Sequence, residues 1–226
     1  MSNNGRIVSG GNLYYFNSSG VLTRTVYGNK KMVALTYDDG PSQYTSTSLN
    51  TLEKYNSVAT FFVVGSRVNS YSSTVKRAYN MGCQIGNHTY DHKILTSVST
   101  STISSQISKT NSVVKSLIGV NPTVMRPPGG SVNSTVKSTV GMPIILWSVD
   151  TLDWKTRNAT STINSVLNNV KDGDIILMHD LYSATATASQ TIIPTLVERG
   201  YQLVTVEEMA LLRGGMKNGV TYSSFR

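Results

Sequence analysis

Two short segments of the chain carry residue types that bind metal ions. "TYDDGPS" places the adjacent carboxylates of Asp38 and Asp39 after an apolar run, and "HTYDH" places His88 and His92 four residues apart. Adjacent carboxylates repel each other, so a divalent cation bound by Asp39 and the two imidazoles would make the pair tolerable. One carboxylate and two imidazoles leave coordination positions open, where a bound water becomes acidic enough to attack at neutral pH. Asp38 then stays free to act as the general base.

Three further segments supply a cation, an acid and a hydrogen-bond donor. Arg126 opens "RPPGG" and can hold the base ionised. The Pro-Pro turn and glycine pair that follow either aim a backbone N–H at a developing oxyanion or form a plain turn before a helix. His179, in "IILMHD", is the candidate general acid, and Asp153, in "DTLDW", is the carboxylate that would keep it protonated. Trp154 either offers an aromatic face to a sugar or fills the core.

Other catalytic classes fit these residues poorly. The zinc-protease motif needs a glutamate after its first histidine, where this chain has Thr89. The sequence contains no GxSxG elbow for an activated serine. Cys83, the single cysteine, lies in a short apolar run, and we interpret it as a core thiol rather than a nucleophile. A carbohydrate-binding protein with an inactive site stays open as an alternative, although the base and all three candidate ligands are present.

Strand-like and helical segments alternate from residue 31 onward and must position these side chains. Seven runs are predicted strands: "MVALTY", "ATFFVVG", "CQIG", "TVMR", "PIILWSV", "DIILM" and "YQLVT". Helices are predicted at 46–55, 101–119, 160–170 and 189–199. The alternation indicates an α/β fold with a parallel sheet, either a closed or nearly closed (β/α) barrel of about seven strands or an open doubly wound sheet. In both, the carboxyl ends of the strands share one face, and the candidate residues follow five of the strands.

Residues 1–28 have a different pattern. "GNLYYFNSSGVLTRTVYGN" reads as an aromatic run, a polar turn and a second apolar run, which predicts a β-hairpin. The segment is either an extension packed on the main domain or half of a repeat similar to those of bacterial cell-wall-binding modules. The expected division of the chain is therefore 1–28 and 29–226.

Composition narrows the class of function. Charged residues make up only 14% of the 226 residues, and the net charge is +8. The lysines and arginines are scattered, and no basic run stands near interleaved aromatics, so we do not expect nucleic-acid binding. A basic surface suits an anionic cell wall. No apolar stretch reaches the ~18 residues of a membrane span, and no signal peptide is visible after Met1.

The five motifs together resemble those of a known family. "TYDDGPS", "HTYDH", "RPPGG", "DTLDW" and "IILMHD" occur in the order found in the polysaccharide deacetylases, the NodB homology domain or carbohydrate esterase family 4. The resemblance covers roughly residues 31–212. It implies a distorted (β/α) barrel that uses a divalent metal, often zinc, to remove acetyl groups from N-acetylglucosamine polymers or acetylated xylan.

The roles that the resemblance implies agree with those argued from the residues. It implies that Asp38 is the base and that Asp39, His88 and His92 bind the metal. It also implies that Arg126 pairs with the base, that His179 is the acid and that Asp153 tunes the acid. It implies four substrate-binding positions: Pro128, Gly129, Trp154 and Leu177. The chain departs from the family pattern at Tyr37, where Phe is commoner, and at Gly129, where Tyr is usual. The second departure keeps the backbone donor but leaves substrate preference open.

The expected function is deacetylation of N-acetylglucosamine residues in peptidoglycan or chitin-like oligomers, with acetylxylan esterase activity as the alternative. The expected cofactor is Zn²⁺, with Co²⁺, Ni²⁺ and Mn²⁺ also open. The expected partner is an acetylated polysaccharide or oligosaccharide. We expect a monomer that is secreted or associated with the cell wall.

Overall fold

The centre of the molecule is a parallel sheet that curls into a distorted barrel. The computed structural model describes residues 5–226. In chain order the strands are β1 (Arg6–Ser9), β2 (Asn12–Phe16), β3 (Leu22–Tyr27), β4 (Met32–Asp38), β5 (Thr60–Val63), β6 (Gln84–Asn87), β7 (Ile144–Ile145), β8 (Val149–Asp150), β9 (Asp174–His179), β10 (Gln202–Leu203) and β11 (Thr221–Tyr222). Five strands pair in parallel in the order β6-β5-β4-β9-β8, and β10 pairs with the start of β4. The predicted α/β class and parallel sheet are confirmed.

One bent segment, residues 143–150, joins the two edges of this sheet. Its first half pairs with Met125, which also bridges to β6 through Asn87, and its second half, β8, pairs with β9. The predicted strand "PIILWSV" is therefore two short strands, because the segment changes partner halfway. The predicted strand "TVMR" is wrong in extent, since only Met125 forms bridges. Pro122 and Pro127, on either side, have no N–H to extend a ladder.

Helices cover the outer face of the sheet. They are α1 (Thr45–Lys54), α2 (Gly65–Val68), α3 (Ser72–Asn80), α4 (Thr100–Ile118), α5 (Ser134–Thr139), α6 (Asp153–Thr156), α7 (Ala159–Asn169), α8 (Ser183–Glu198) and α9 (Val206–Leu212). The four predicted helices correspond to α1, α4, α7 and α8. The sequence patterns did not predict α3, whose buried stripe consists of Val75 and Ala78 alone. No helix within residues 5–226 combines the length and apolar character that crossing a membrane requires.

Side chains alternate along β4 between the two sides of the sheet. Val33, Leu35 and Tyr37 pack in the apolar layer beneath the helices. Met32 and Ala34 belong to a second cluster, inside the barrel. The next inward positions in this two-residue period are the polar residues Thr36 and Asp38, which lie at the carboxyl end of the strand. This end is where the candidate site residues lie.

The opposite end of the barrel is covered by the N-terminal strands. β1, β2 and β3 form an antiparallel sheet, where only the β2–β3 hairpin was predicted. The missed turn is Gly10-Gly11, with both glycines at positive φ as a tight hairpin requires. Leu13 and Val26 are buried in the same apolar cluster as Met32. Residues 1–4 of the predicted 1–28 unit lie outside the described part of the chain.

Candidate active site and metal centre

Three side chains converge on one point at the carboxyl end of the sheet. Asp39 Oδ1 lies 3.2 Å from His88 Nε2 and 3.0 Å from His92 Nε2. One ligand atom from each residue lies within 4.8 Å of the other two. Asp39 Oδ1 is buried, yet it has no hydrogen-bond partner among the described residues. Three donor atoms that crowd together without bonding one another fit a cation at their common centre.

The hydrogen bond on the far side of His88 supports this arrangement. His88 Nδ1 lies 2.7 Å from the carbonyl oxygen of Arg126. A carbonyl only accepts, so Nδ1 carries the proton and Nε2 presents its lone pair toward Asp39.

The loop that carries both histidines is held by a buried amide. Gln106, on α4, accepts hydrogen bonds through Oε1 from the backbone N–H groups of Tyr90 (2.8 Å) and Asp91 (3.1 Å). Thr89 and His92 adopt positive φ values of 66° and 63°. Such left-handed residues persist only where the surroundings fix them. The sequence offered no signal for Gln106, because its role depends on how α4 packs against the loop.

The candidate base lies against a fully buried arginine. Arg126 Nη1 donates to Asp38 Oδ1 (2.8 Å) and to Thr36 Oγ1 (2.6 Å). Its Nε and Nη2 donate to the carbonyl oxygens of Ile145 (3.1 Å) and Leu146 (2.8 Å), at the bend between β7 and β8. The guanidinium thus orients Asp38 and satisfies the backbone where the barrel closes. Arg126 is 0% exposed, so these bonds replace its hydration.

The candidate acid is paired with a buried carboxylate. Asp153 is 1% exposed and accepts a hydrogen bond from the His179 ring, with Nδ1 to Oδ1 at 2.7 Å. It also accepts from the backbone N–H groups of His179 and Trp154 and from the Thr185 hydroxyl. Burial lowers the pKa of His179, but the hydrogen bond and charge of Asp153 outweigh it and raise that pKa above its ordinary value. The imidazolium form is therefore favoured.

A groove of about 430 Å³ connects the candidate base, the candidate metal ligands and the candidate acid. Of the four predicted substrate-binding residues, Gly129, Trp154 and Leu177 line it. Gly129 adopts a φ of 64°, and its N–H makes no backbone hydrogen bond within the described residues. Trp154 is 46% exposed, which excludes the core interpretation. Pro128 is buried and does not appear among the lining residues.

Three lining residues were not predicted as part of the site: Gly130, Trp147 and Tyr182. Trp147 lay inside an apolar run typical of a core strand, and it faces the groove because the segment bends there. A Cβ at Gly130 would come within 2.7 Å of the Trp147 ring, so glycine permits their contact. Tyr182 lies beside the acid, with ring centroids 6.0 Å apart between Tyr182 and His179.

Asp180 connects the loop of the candidate base to the loop of the candidate acid. Its carboxylate accepts a hydrogen bond from Thr45 Oγ1 (2.5 Å), and its backbone N–H donates to the carbonyl of Asp38 (2.8 Å). A Cβ at Gly40 would lie 2.3 Å from Asp180 Oδ2, so only glycine fits there. Burial raises the pKa of Asp180 to about 8, which favours its neutral form.

Sequence comparisons place the chain among carbohydrate deacetylases. A family model described as polysaccharide deacetylase matches residues 25–142. The peptidoglycan-N-acetylmuramic acid deacetylase PdaC of Bacillus subtilis is 42% identical over 186 residues, which are 82% of this chain and 40% of that protein. The peptidoglycan-N-acetylglucosamine deacetylase PgdA of Listeria monocytogenes is 47% identical over 180 residues, 79% of this chain and 39% of that protein. A bifunctional xylanase/deacetylase of Pseudobutyrivibrio xylanivorans is 44% identical over 202 residues, 88% of this chain and 33% of that protein.

Solved structures give the same relationship. The structure of peptidoglycan deacetylase PdaC from Bacillus subtilis superposes with a TM-score of 0.81 at 41% identity, over 83% of this chain and 93% of that one. A family 4 acetyl xylan esterase from Clostridium thermocellum, in complex with a cobalt ion, superposes with a TM-score of 0.81 at 36% identity, over 86% of this chain and 98% of that one. This chain spans at most about two fifths of the length of the three curated relatives. The chain belongs to the polysaccharide deacetylase family.

Proposed function

We propose that this chain is a metal-dependent deacetylase that hydrolyses the acetyl groups of N-acetylglucosamine residues in peptidoglycan or chitin-like oligomers and releases acetate. The observation that carries the proposal is a single groove holding an arginine-backed carboxylate, a three-residue metal cluster and a carboxylate-backed histidine. Base, metal site and acid side by side are what hydrolysis of an amide needs.

Asp39, His88 and His92 would hold the metal, which we propose to be Zn²⁺. Their nitrogen and oxygen donors suit zinc and leave positions open, although Co²⁺, Ni²⁺ and Mn²⁺ accept the same ligands. A bound cation would supply Lewis-acid activation of the acetyl carbonyl and of the attacking water.

The chain's own residues would divide the remaining steps. Asp38, oriented by Arg126, takes a proton from the water whose oxygen attacks the acetyl carbon. The Gly129 N–H donates to the oxygen on which negative charge develops. His179, kept protonated by Asp153, donates a proton to the leaving nitrogen as the C–N bond breaks. Acetate and a free amine are the products, and Trp154 and Leu177 would hold the sugar and its acetyl group.

Acetylxylan esterase activity is the second candidate, and the similarity to a bifunctional xylanase/deacetylase favours it. The same base, metal site and acid would cleave an ester, with the proton going to a sugar oxygen. A cell-wall substrate implies that the chain acts outside the cell. We further propose a monomer divided into 1–28 and a catalytic domain at 29–226. Burial of Leu13 and Val26 beside Met32 supports packing of the described part of the first unit on the second.

The test is acetate release by the zinc-loaded protein from peptidoglycan, an N-acetylglucosamine oligomer and acetylxylan, measured side by side with a chelator control. We expect release mainly from the first two, loss with chelator and recovery with zinc. The matched variant Asp38→Asn should keep its zinc while losing activity about 10²- to 10⁴-fold. Chelator-resistant release would contradict the metal site. Binding of glycan without release from any substrate would favour the inactive carbohydrate-binding alternative.

A further inference from the structure

Arg157 lies at the rim of the groove in a fixed orientation. Its Nε donates to the backbone carbonyl of Trp154 (2.6 Å), and its Cζ lies 3.4 Å from the centroid of the Tyr182 ring. Both contact residues line the groove. Arg157 has a φ of 49°, and Leu152, at the other end of the short helix α6, has a φ of 54°. Left-handed residues persist only where the surrounding structure fixes them, so their presence at both ends of this four-residue helix indicates that the rim is held in one conformation.

The charge of Arg157 is not neutralised within the described residues. Six other arginines form ion pairs with carboxylates: Arg6, Arg24, Arg77, Arg126, Arg213 and Arg226. Arg157 forms none among residues 5–226, and its terminal nitrogens have no hydrogen-bond partner there. The side chain therefore presents two free donors on an aromatic face.

The position of Arg157 places those donors near the leaving group. Tyr182, on which the guanidinium stacks, has its ring 6.0 Å from that of His179. His179 is the proposed proton donor to the departing sugar nitrogen. A substituent on the sugar being deacetylated, or on its neighbour, would therefore come close to the guanidinium.

We propose that Arg157 receives a carboxylate carried by the glycan, so that the preferred substrate of this groove is an acidic rather than a neutral polysaccharide. The inference rests on the proposed deacetylase function. A guanidinium binds a carboxylate through two parallel hydrogen bonds, and its fixed stem loses little entropy on binding. The carboxylate could belong to a lactyl ether on the neighbouring sugar, to a stem peptide or to a uronic acid side group.

Two other cations near the site serve as comparisons. Lys155 is exposed on the same short helix and forms no ion pair among the described residues. It therefore tests whether any nearby positive charge is enough to favour an acidic substrate. Arg67 is exposed and lines a separate recess of about 260 Å³ that shares Asp39 and His92 with the groove. No side-chain hydrogen bond fixes Arg67 within the described chain. We therefore expect discrimination between acidic and neutral substrates to depend on Arg157 alone.

The experiment compares kcat/KM for acetate release from matched acidic and neutral substrates. The first pair is peptidoglycan glycan strands without stem peptides, with the lactyl carboxylates free or converted to amides. Strands with stem peptides, glucuronate-bearing acetylxylan and a neutral N-acetylglucosamine oligomer complete the series. The protein is the zinc-loaded full chain with Arg157, Arg157→Asn, Arg157→Lys, Lys155→Asn or Arg67→Gln. Asparagine tolerates the left-handed backbone at 157, so the variant should fold.

We expect Arg157→Asn to lower the ratio of kcat/KM for the acidic strand over its amide about tenfold, chiefly through KM. Added salt should lower that ratio in the wild type but not in the variant, and Arg157→Lys should fall between them. Whichever acidic substrate shows the loss identifies the source of the carboxylate. An unchanged ratio, or an equal change in Lys155→Asn or Arg67→Gln, overturns this inference only. Absence of acetate from every substrate, with all variants folded and zinc bound, overturns the proposed function as well.

Discussion

Replacing Asp153 with asparagine tests the proposed acid, because it removes the charge that keeps His179 protonated while preserving the shape of the side chain. The acid must carry a proton, so activity is lost as pH rises through the pKa of His179. Asp153 raises that pKa and burial lowers it. Without the carboxylate, burial is opposed only by the more distant charges of Asp38 and Asp39, and the loss of activity must move to lower pH.

The size of the shift follows from the geometry. Two unit charges about 4 Å apart interact by about 4 kcal/mol at an effective dielectric constant near 20, which corresponds to about 3 pKa units. The His179 side chain is 14% exposed, so solvent screening reduces the expected shift to about 1 to 2 units. At a pH above both pKa values, kcat should therefore fall about 10- to 100-fold.

The assay is the pH dependence of kcat for acetate release from an N-acetylglucosamine oligomer. Thr185→Val is the matched control, because it removes a neutral hydrogen bond to Asp153 (2.7 Å) but leaves the carboxylate. The alkaline limb of the kcat–pH profile of Thr185→Val should move by less than about 1 pH unit. If Asp153→Asn is folded and zinc-loaded and its alkaline limb stays where the wild type has it, the assignment of His179 as an acid tuned by Asp153 is refuted.

Three further predictions concern the residues that support the site. Arg126→Met should lower the free energy of unfolding by about 3 to 5 kcal/mol in urea titrations, because it leaves the buried charge of Asp38 unpaired; an unchanged midpoint would contradict this. Gln106→Ala should weaken zinc affinity about 10- to 100-fold, because the loop of His92 loses the hydrogen bonds that Gln106 accepts. A competition titration with a chelator measures the affinity, and a value equal to wild type would show that the loop keeps its conformation without Gln106. Leu13→Ala should lower the free energy of unfolding by about 2 to 5 kcal/mol in a single transition, because the N-terminal sheet shares the barrel core; a separate early transition would show that the sheet unfolds independently.

The strands that carry the base and the acid could be predicted because they are buried on both faces. β4 and β9 are mostly apolar, as strands in the centre of a parallel sheet are, and they end in Asp38 and His179. The two histidines of "HTYDH" were predicted as ligands from their spacing and their position after a predicted strand, and the structure brings both to Asp39. Local sequence was sufficient where one strand end determined the position of each side chain.

The remaining features depend on contacts between segments distant in sequence. The run that contains Trp147 looks like one strand, and nothing within it shows that Met125 pairs with one half and β9 with the other. Gln106 is 16 residues from Tyr90, whose N–H it binds. Arg157 is an exposed arginine in a loop-like stretch, and only the position of Tyr182 gives it a function. Such roles follow from packing, which periodicity and motif spacing do not encode.

The position of Arg126 has a consequence for how this fold can lose its activity. The same guanidinium that orients Asp38 also bonds the Ile145 and Leu146 carbonyls where the barrel closes. In many enzymes the catalytic charges are a burden on the fold, and removing them increases stability. Here the proposed base is the counter-charge of a structural cation, so selection for folding alone would preserve Asp38 and Arg126. A descendant no longer selected for catalysis would therefore lose Asp39 or His92 first and keep Asp38, because the fold would still need it.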